Sequence, residues 1–136
     1  MVASMPKSGQ VNILASQADW AWPQALSNIF QPRGINMLIA RDAGEFIDII
    51  GQKRIHTTII DMDSQKPNGL ATVRIIRLQY PLMPCIALTS DPGRDLLDEA
   101  LELDVFSVID KPVDMAVLLE QLDRLFVRRY NWEIFR

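Results

Sequence analysis

Residues 57–79 read TTIIDMDSQKPNGLATVRIIRLQ. The run Thr57–Ile60 is short, apolar and β-branched, two acids follow it at Asp61 and Asp63, and a Pro67-Asn68-Gly69 turn closes the segment. From Gly69 to Gln79 the period changes from two to that of a helix, with Leu70, Val73, Ile75 and Ile76 set against Arg74 and Arg77. This is one strand, one turn and one helix, with carboxylates at the carboxyl end of the strand.

The same unit repeats in both directions. Four more apolar runs, Val11–Ala15, Asn36–Ala40, Cys85–Leu88 and Val105–Ile109, are too short for helices and apolar enough to be covered on both faces. Between them Pro23–Phe30 carries Leu26, Ile29 and Phe30 on one side, and Ala43–Ile50 carries Phe46, Ile47, Ile49 and Ile50. Arg94–Leu103 sets Leu97, Ala100 and Leu101 opposite Asp98, Glu99 and Glu102. The last helix is written by Met115, Leu118, Leu119, Leu122, Leu125 and Phe126. Strict alternation of strand and helix predicts an α/β fold, a three-layer doubly wound sandwich of five parallel strands and five helices. At 136 residues there is chain for one such unit.

Composition narrows the function. Lys and Arg total 14 against 17 Asp and Glu, a net charge of −3, so no broad basic surface exists for direct nucleic-acid binding. One cysteine, Cys85, and one histidine, His56, form neither an internal disulfide nor a Cys/His metal cluster, which suits a reducing cytoplasmic setting. Residues 1–10 lack the apolar core of a secretion signal, and no run of eighteen apolar residues predicts a membrane span. No glycine-rich nucleotide loop or nucleophile elbow occurs. Cys85 reads as a buried strand residue and His56 as a surface loop residue.

In doubly wound sheets the chemistry collects beyond the carboxyl ends of the strands. Those ends carry Ser16, Gln17 and Asp19 after the first strand, Asp61 and Asp63 after the third, Thr89 and Ser90 after the fourth, and Asp110, Lys111 and Pro112 after the fifth. A carboxylate can attack a phosphoryl group, a hydroxyl can donate to its oxygens, and an ammonium can offset its charge. The same three groups also make a plain structural ion pair.

The chain resembles the receiver domains of two-component response regulators, a flavodoxin-like family that includes the single-domain chemotaxis regulators. Four stretches carry the resemblance: Ile59-Ile60-Asp61 with Gly69 eight residues on, Met83-Pro84-Cys85-Ile86-Ala87-Leu88-Thr89-Ser90, Ala100-Leu101-Glu102-Leu103-Asp104-Val105, and Lys111-Pro112. It covers residues 10–127, leaving 1–9 as an N-terminal extension and 128–136 as an extension of the last helix or the start of a linker. The resemblance implies that Asp61 accepts a phosphoryl group from a histidine kinase or phosphotransfer protein. Thr89 would bind a phosphoryl oxygen, Lys111 would pair with the phosphate, and a cis Lys111–Pro112 bond would aim that lysine. Output would be contact with a downstream protein or a second copy of the chain.

Two departures qualify the resemblance. The family holds Mg²⁺ with two adjacent acids after the first strand, and here those positions are Ser16 and Gln17. Magnesium wants several hard oxygen ligands, so a site reduced to Asp61 and Asp63 should hold it weakly or not at all. Three acids and one lysine give −2 in the family, whereas Asp61 and Lys111 give 0. The aromatic switch position three before the lysine is Val108, stiff at χ1; Phe106 has the same strand parity and is a candidate substitute. The alternatives are a pseudo-receiver that binds partners without phosphate, and a small phosphotransfer enzyme with Asp61 as nucleophile. Trp20, Trp22, Trp132 and Phe135 are candidates for core packing or for a partner surface.

Overall fold

The computed structural model describes residues 11–16, 23–63, 68–90 and 94–133, with the side chains of 23–25 and 94–97 outside that description. Five strands, β1 (Val11–Ser16), β2 (Ile35–Ala40), β3 (Thr57–Asp61), β4 (Cys85–Thr89) and β5 (Ser107–Asp110), form one sheet. All pairings are parallel and the order is β2-β1-β3-β4-β5. The chain reverses direction of growth between β1 and β3, which opens a crevice at the carboxyl edge there. Five helices cover the sheet: α1 (Pro23–Phe30), α2 (Ala43–Gln52), α3 (Gly69–Gln79), α4 (Arg94–Glu102) and α5 (Met115–Tyr130).

Burial follows position. β3 and β4, central in the order, are buried at every residue, whereas the edge strands β2 and β5 are partly open. Thr57 and Thr58 are polar yet fully buried, because both hydroxyls donate to the Pro84 carbonyl. One core joins Phe30, Leu26, Leu118, Leu122, Leu125 and Phe126 on the α1/α5 side. The other joins Phe46, Ile50, Val73 and Ile76 on the α2/α3 side. Asp42, Asn68 and Asp114 begin α2, α3 and α5 by accepting the N–H of Glu45, Ala71 and Ala116.

Several expectations change. A 3₁₀ turn over Gln31–Arg33 ends at Gly34, whose φ of 74° is the left-handed region that suits glycine. β5 starts at Ser107 rather than Val105, because Asp104 turns left-handed at φ 57° and the Val105 N–H bonds back to the Ala100 carbonyl. Phe106 therefore precedes the strand, and strand parity does not govern it. It packs on the α1/α5 core, with the Arg128 guanidinium 5.9 Å from its ring centre, while Val108 packs on the other core. Leu101, expected on the buried side of α4, is exposed. His56 is buried, because it pairs with β1: its N–H donates to the Asn12 carbonyl and its Nδ1 accepts the Asn12 N–H. Burial first, then the nearby Arg54 charge, pushes its pKa down.

The last helix runs on to Tyr130 and closes at Asn131, φ 61°. The Trp132 N–H returns to the Phe126 carbonyl, the ring lies 4.8 Å from Tyr130, and the Tyr130 hydroxyl donates to the His56 carbonyl. Trp132 is thus packed rather than fully presented. Gln17, Asp19, Trp20, Trp22 and Phe135 lie outside the described residues.

Gly69 opens α3 directly beneath the end of β3. A Cβ there would stand 2.2 Å from the Asp61 carbonyl oxygen and 2.7 Å from the Met62 Cα, both rigid backbone. The Gly69→Ala variant should lose about 2 kcal/mol or more of stability by denaturant titration. A midpoint unchanged from the parent would show that the β3–α3 approach is softer than this packing implies.

Candidate functional site

Hydrogen-bond register brings the strand ends level. Asp61 pairs with Leu88 across β3 and β4, and Thr89 pairs with Asp110 across β4 and β5. Asp61, Thr89 and Lys111 thus stand at one edge, carried there by buried strands. The Lys111 N–H donates to the Thr89 carbonyl at 2.9 Å, and the Lys111–Pro112 bond is cis, the isomer that the resemblance implies.

The Asp61 side chain is 2% exposed. Its Oδ2 receives the Lys111 Nζ at 2.7 Å, its Oδ1 accepts the Asp63 N–H at 2.9 Å, and its own N–H donates to the Ser16 Oγ at 3.0 Å. The Ser16 hydroxyl, at the last residue of β1 and the first of the two positions where the resemblance expects acids, thus works as a backbone anchor for the β3 end. Gln17 lies outside the described residues.

Asp63 departs furthest from expectation. Its Oδ1 accepts the Thr89 hydroxyl at 2.7 Å, and its Oδ2 accepts the Ser90 N–H at 2.6 Å and the Ser90 hydroxyl at 2.7 Å. Lys111 Nζ stands 3.5 Å from the same Oδ2. Thr89, expected to bind a phosphoryl oxygen, donates to this carboxylate instead. The neutral count therefore needs correction: two carboxylates share one ammonium, and Asp61, Asp63 and Lys111 sum to −1. Partial burial pushes the Asp63 carboxyl up, but the Ser90 amide, the Thr89 and Ser90 hydroxyls and the Lys111 charge outweigh it and hold its pKa below the ordinary value. Sequence reasoning missed Ser90 as a donor; its place beside Thr89 at a strand end was the available signal.

The donor set among the described residues does not fit magnesium. Among the described residues no group of three His, Cys, Asp or Glu side chains converges. The Ser16 oxygen takes the Asp61 N–H, and both carboxylates already face Lys111. A surface cavity of ≈ 550 Å³ lined by Asn12, Gln31, Asn36, Lys53 and Arg54 belongs to the opposite, amino edge of the sheet and shares none of these groups.

Two outcomes follow. About 5 mM Mg²⁺ should move the melting temperature by less than about 1 °C, since only native-state binding stabilises; a dose-dependent rise of several degrees would mean that a metal site forms. For pH, the folded Asp63 pKa lies below the unfolded one, so its stabilisation is complete above the ordinary carboxylate value and is lost as pH falls through the lower folded value. The Asp63→Asn variant should accordingly be less stable than the parent at pH 7, and the gap should close as acidification passes below the ordinary carboxylate value and through the lowered folded one. A gap independent of pH would remove the charge from the explanation.

Comparison with known proteins places this geometry. A putative NtrX-like response regulator of Rickettsia bellii is 24% identical over 101 residues, 73% of this chain and 21% of the relative. The chain thus spans about a fifth of the length of that protein. The crystal structure of a signal receiver domain of an HD domain-containing protein from Pseudomonas fluorescens has the same fold, with a TM-score of 0.79, 24% identity and coverage of 90% of this chain and 98% of that one. A response regulator receiver protein from Pseudomonas putida gives a TM-score of 0.75 at 27% identity, covering 85% and 98%. The sequence model of the response regulator receiver domain matches residues 19–123, most of the chain, and the protein therefore belongs to the receiver domain family of two-component response regulators.

Proposed function

We propose that this receiver takes a phosphoryl group on Asp61 from a histidine kinase or phosphotransfer protein and signals through protein contact. The observation that carries the reading is the Asp61 carboxylate held at the end of β3 with Lys111 Nζ at 2.7 Å, within a chain of this family. An Asp61 oxygen would attack phosphorus, an O–P bond would form as the donor's P–N bond breaks, and the electron pair would return to the donor imidazole. Lys111 would then follow the negative charge from the carboxylate to the phosphoryl oxygens, and Thr89 would donate to one of them. No metal-dependent step is assigned, because the described donors do not fit one.

The receiver unit in this reading is residues 10–127, with the end of α5 packed onto it. It acts stoichiometrically rather than as a turnover enzyme, and its partners are proteins rather than nucleic acid. Among the described residues no helix is long and apolar enough to cross a membrane. A pseudo-receiver working without phosphate is the second reading, favoured by Ser16 in place of an acid and by Asp63 lying on the Thr89 hydroxyl.

Incubation with a small acyl-phosphate donor followed by intact mass measurement separates the two. One labile phosphoryl adduct, absent in the Asp61→Asn variant, is the expected result. A chain that stays unmodified across donor and Mg²⁺ concentrations would leave the phosphate-independent module.

A further inference from the structure

The carboxylate of Asp63 sits inside a ring of donors. Three strand-end groups converge on its two oxygens: the Thr89 hydroxyl at 2.7 Å, the Ser90 hydroxyl and amide at 2.7 and 2.6 Å, and the Lys111 ammonium at 3.5 Å. Oδ2 alone takes three of these four contacts. Short O–H and N–H bonds to an ionised acceptor from the end of β4, with an ammonium from the end of β5 close by, are what an oxyanion site looks like when filled. The occupant is tethered: Asp63 is two residues from Asp61, and its N–H already holds the Asp61 Oδ1 at 2.9 Å.

We propose that Thr89, Ser90 and Lys111 form an oxyanion cradle that the chain fills with its own Asp63 carboxylate, so that any phosphoryl or phosphate oxygen entering must displace it. The proposal deepens the reading of Asp61 as phosphoacceptor, but the cradle and its occupant are defined without phosphoryl transfer. The chemistry is an exchange of anions. A monoanionic planar carboxylate leaves the Thr89 and Ser90 donors, and a more highly charged tetrahedral group takes them. A tethered competitor acts at an effective concentration on the order of millimolar or higher, so an untethered anion should bind the parent poorly and gain affinity once the tether is cut back. Asp63 is thus a residue whose removal creates binding. A plain surface carboxylate would have no such effect.

The test uses inorganic phosphate and a background that cannot be phosphorylated. In the Asp61→Asn variant Asp63 still fills the cradle; adding Asp63→Ala empties it. Phosphate should raise the melting temperature saturably in the double variant and at least about tenfold more weakly in Asp61→Asn alone. Adding Thr89→Ala with Ser90→Ala to the double variant should abolish the response, because charge alone would survive that change. Equal phosphate affinity with and without Asp63, or binding indifferent to Thr89 and Ser90, would overturn the proposal. If the double variant does not fold, the single Asp63→Ala variant is titrated with phosphate while the Ser90 amide is followed by NMR: a saturable shift exceeding that of the parent supports the cradle, and no difference overturns it. Failure of Asp61 labelling would count against the acceptor reading only.

Discussion

Among the described residues Lys111 is the cation placed between Asp61 and Asp63, and the arrangement of the carboxyl edge follows from that sharing. At 2.7 Å and an effective dielectric near 20, the Asp61–Lys111 attraction is on the order of 6 kcal/mol. Desolvating two ions costs several kcal/mol each, so the pair by itself comes close to balance. What tips it are bonds to the remaining lone pairs: the Asp63 amide on Oδ1, and beside it a second carboxylate whose charge is carried chiefly by neutral donors from β4. The sheet supplies the precision, since the strands that end in Asp61 and Thr89 are buried along their whole length and the parallel register fixes their ends side by side.

Much of this was legible. Short β-branched runs between helical periods specify a parallel sheet covered on both faces, and Asp61, Thr89 and Lys111 fall at its carboxyl edge once alternation is granted. The misreadings share a physical cause, which is that they depended on contacts between distant segments. His56 looked like a loop residue because nothing local says that Asn12, 44 positions away, offers it an amide. Phe106 was assigned a face by counting along a strand that in fact begins one residue later, after the left-handed Asp104 has reset the direction of the chain. The neutral charge count failed for the same reason, since Asp63 was weighed as a metal ligand while its partners lay on β4.

The Cys85 thiol illustrates the opposite case, where local sequence suffices. A small apolar side chain in one of the two fully buried strands has no route to water, and burial drives its pKa up to about 11 against the opposing pull of Thr58 and Arg77. The strand interior thereby offers no accessible thiol and holds the carboxyl edge in register.

Charge links the Ser16 position to the seat of Asp63. With Ser16 accepting the Asp61 N–H, the last residue of β1 contributes a hydrogen bond where the family contributes a negative charge. A carboxylate at 63 that would be repelled by further acids at this edge is instead drawn toward Lys111 and seated on Thr89 and Ser90. The second negative group at this edge lies on the Thr89 and Ser90 donors, beside the Asp61–Lys111 pair. Under the proposal that Asp61 accepts a phosphoryl group, an incoming oxygen competes with the Asp63 carboxylate for Thr89 and Ser90, because that carboxylate already occupies their donors.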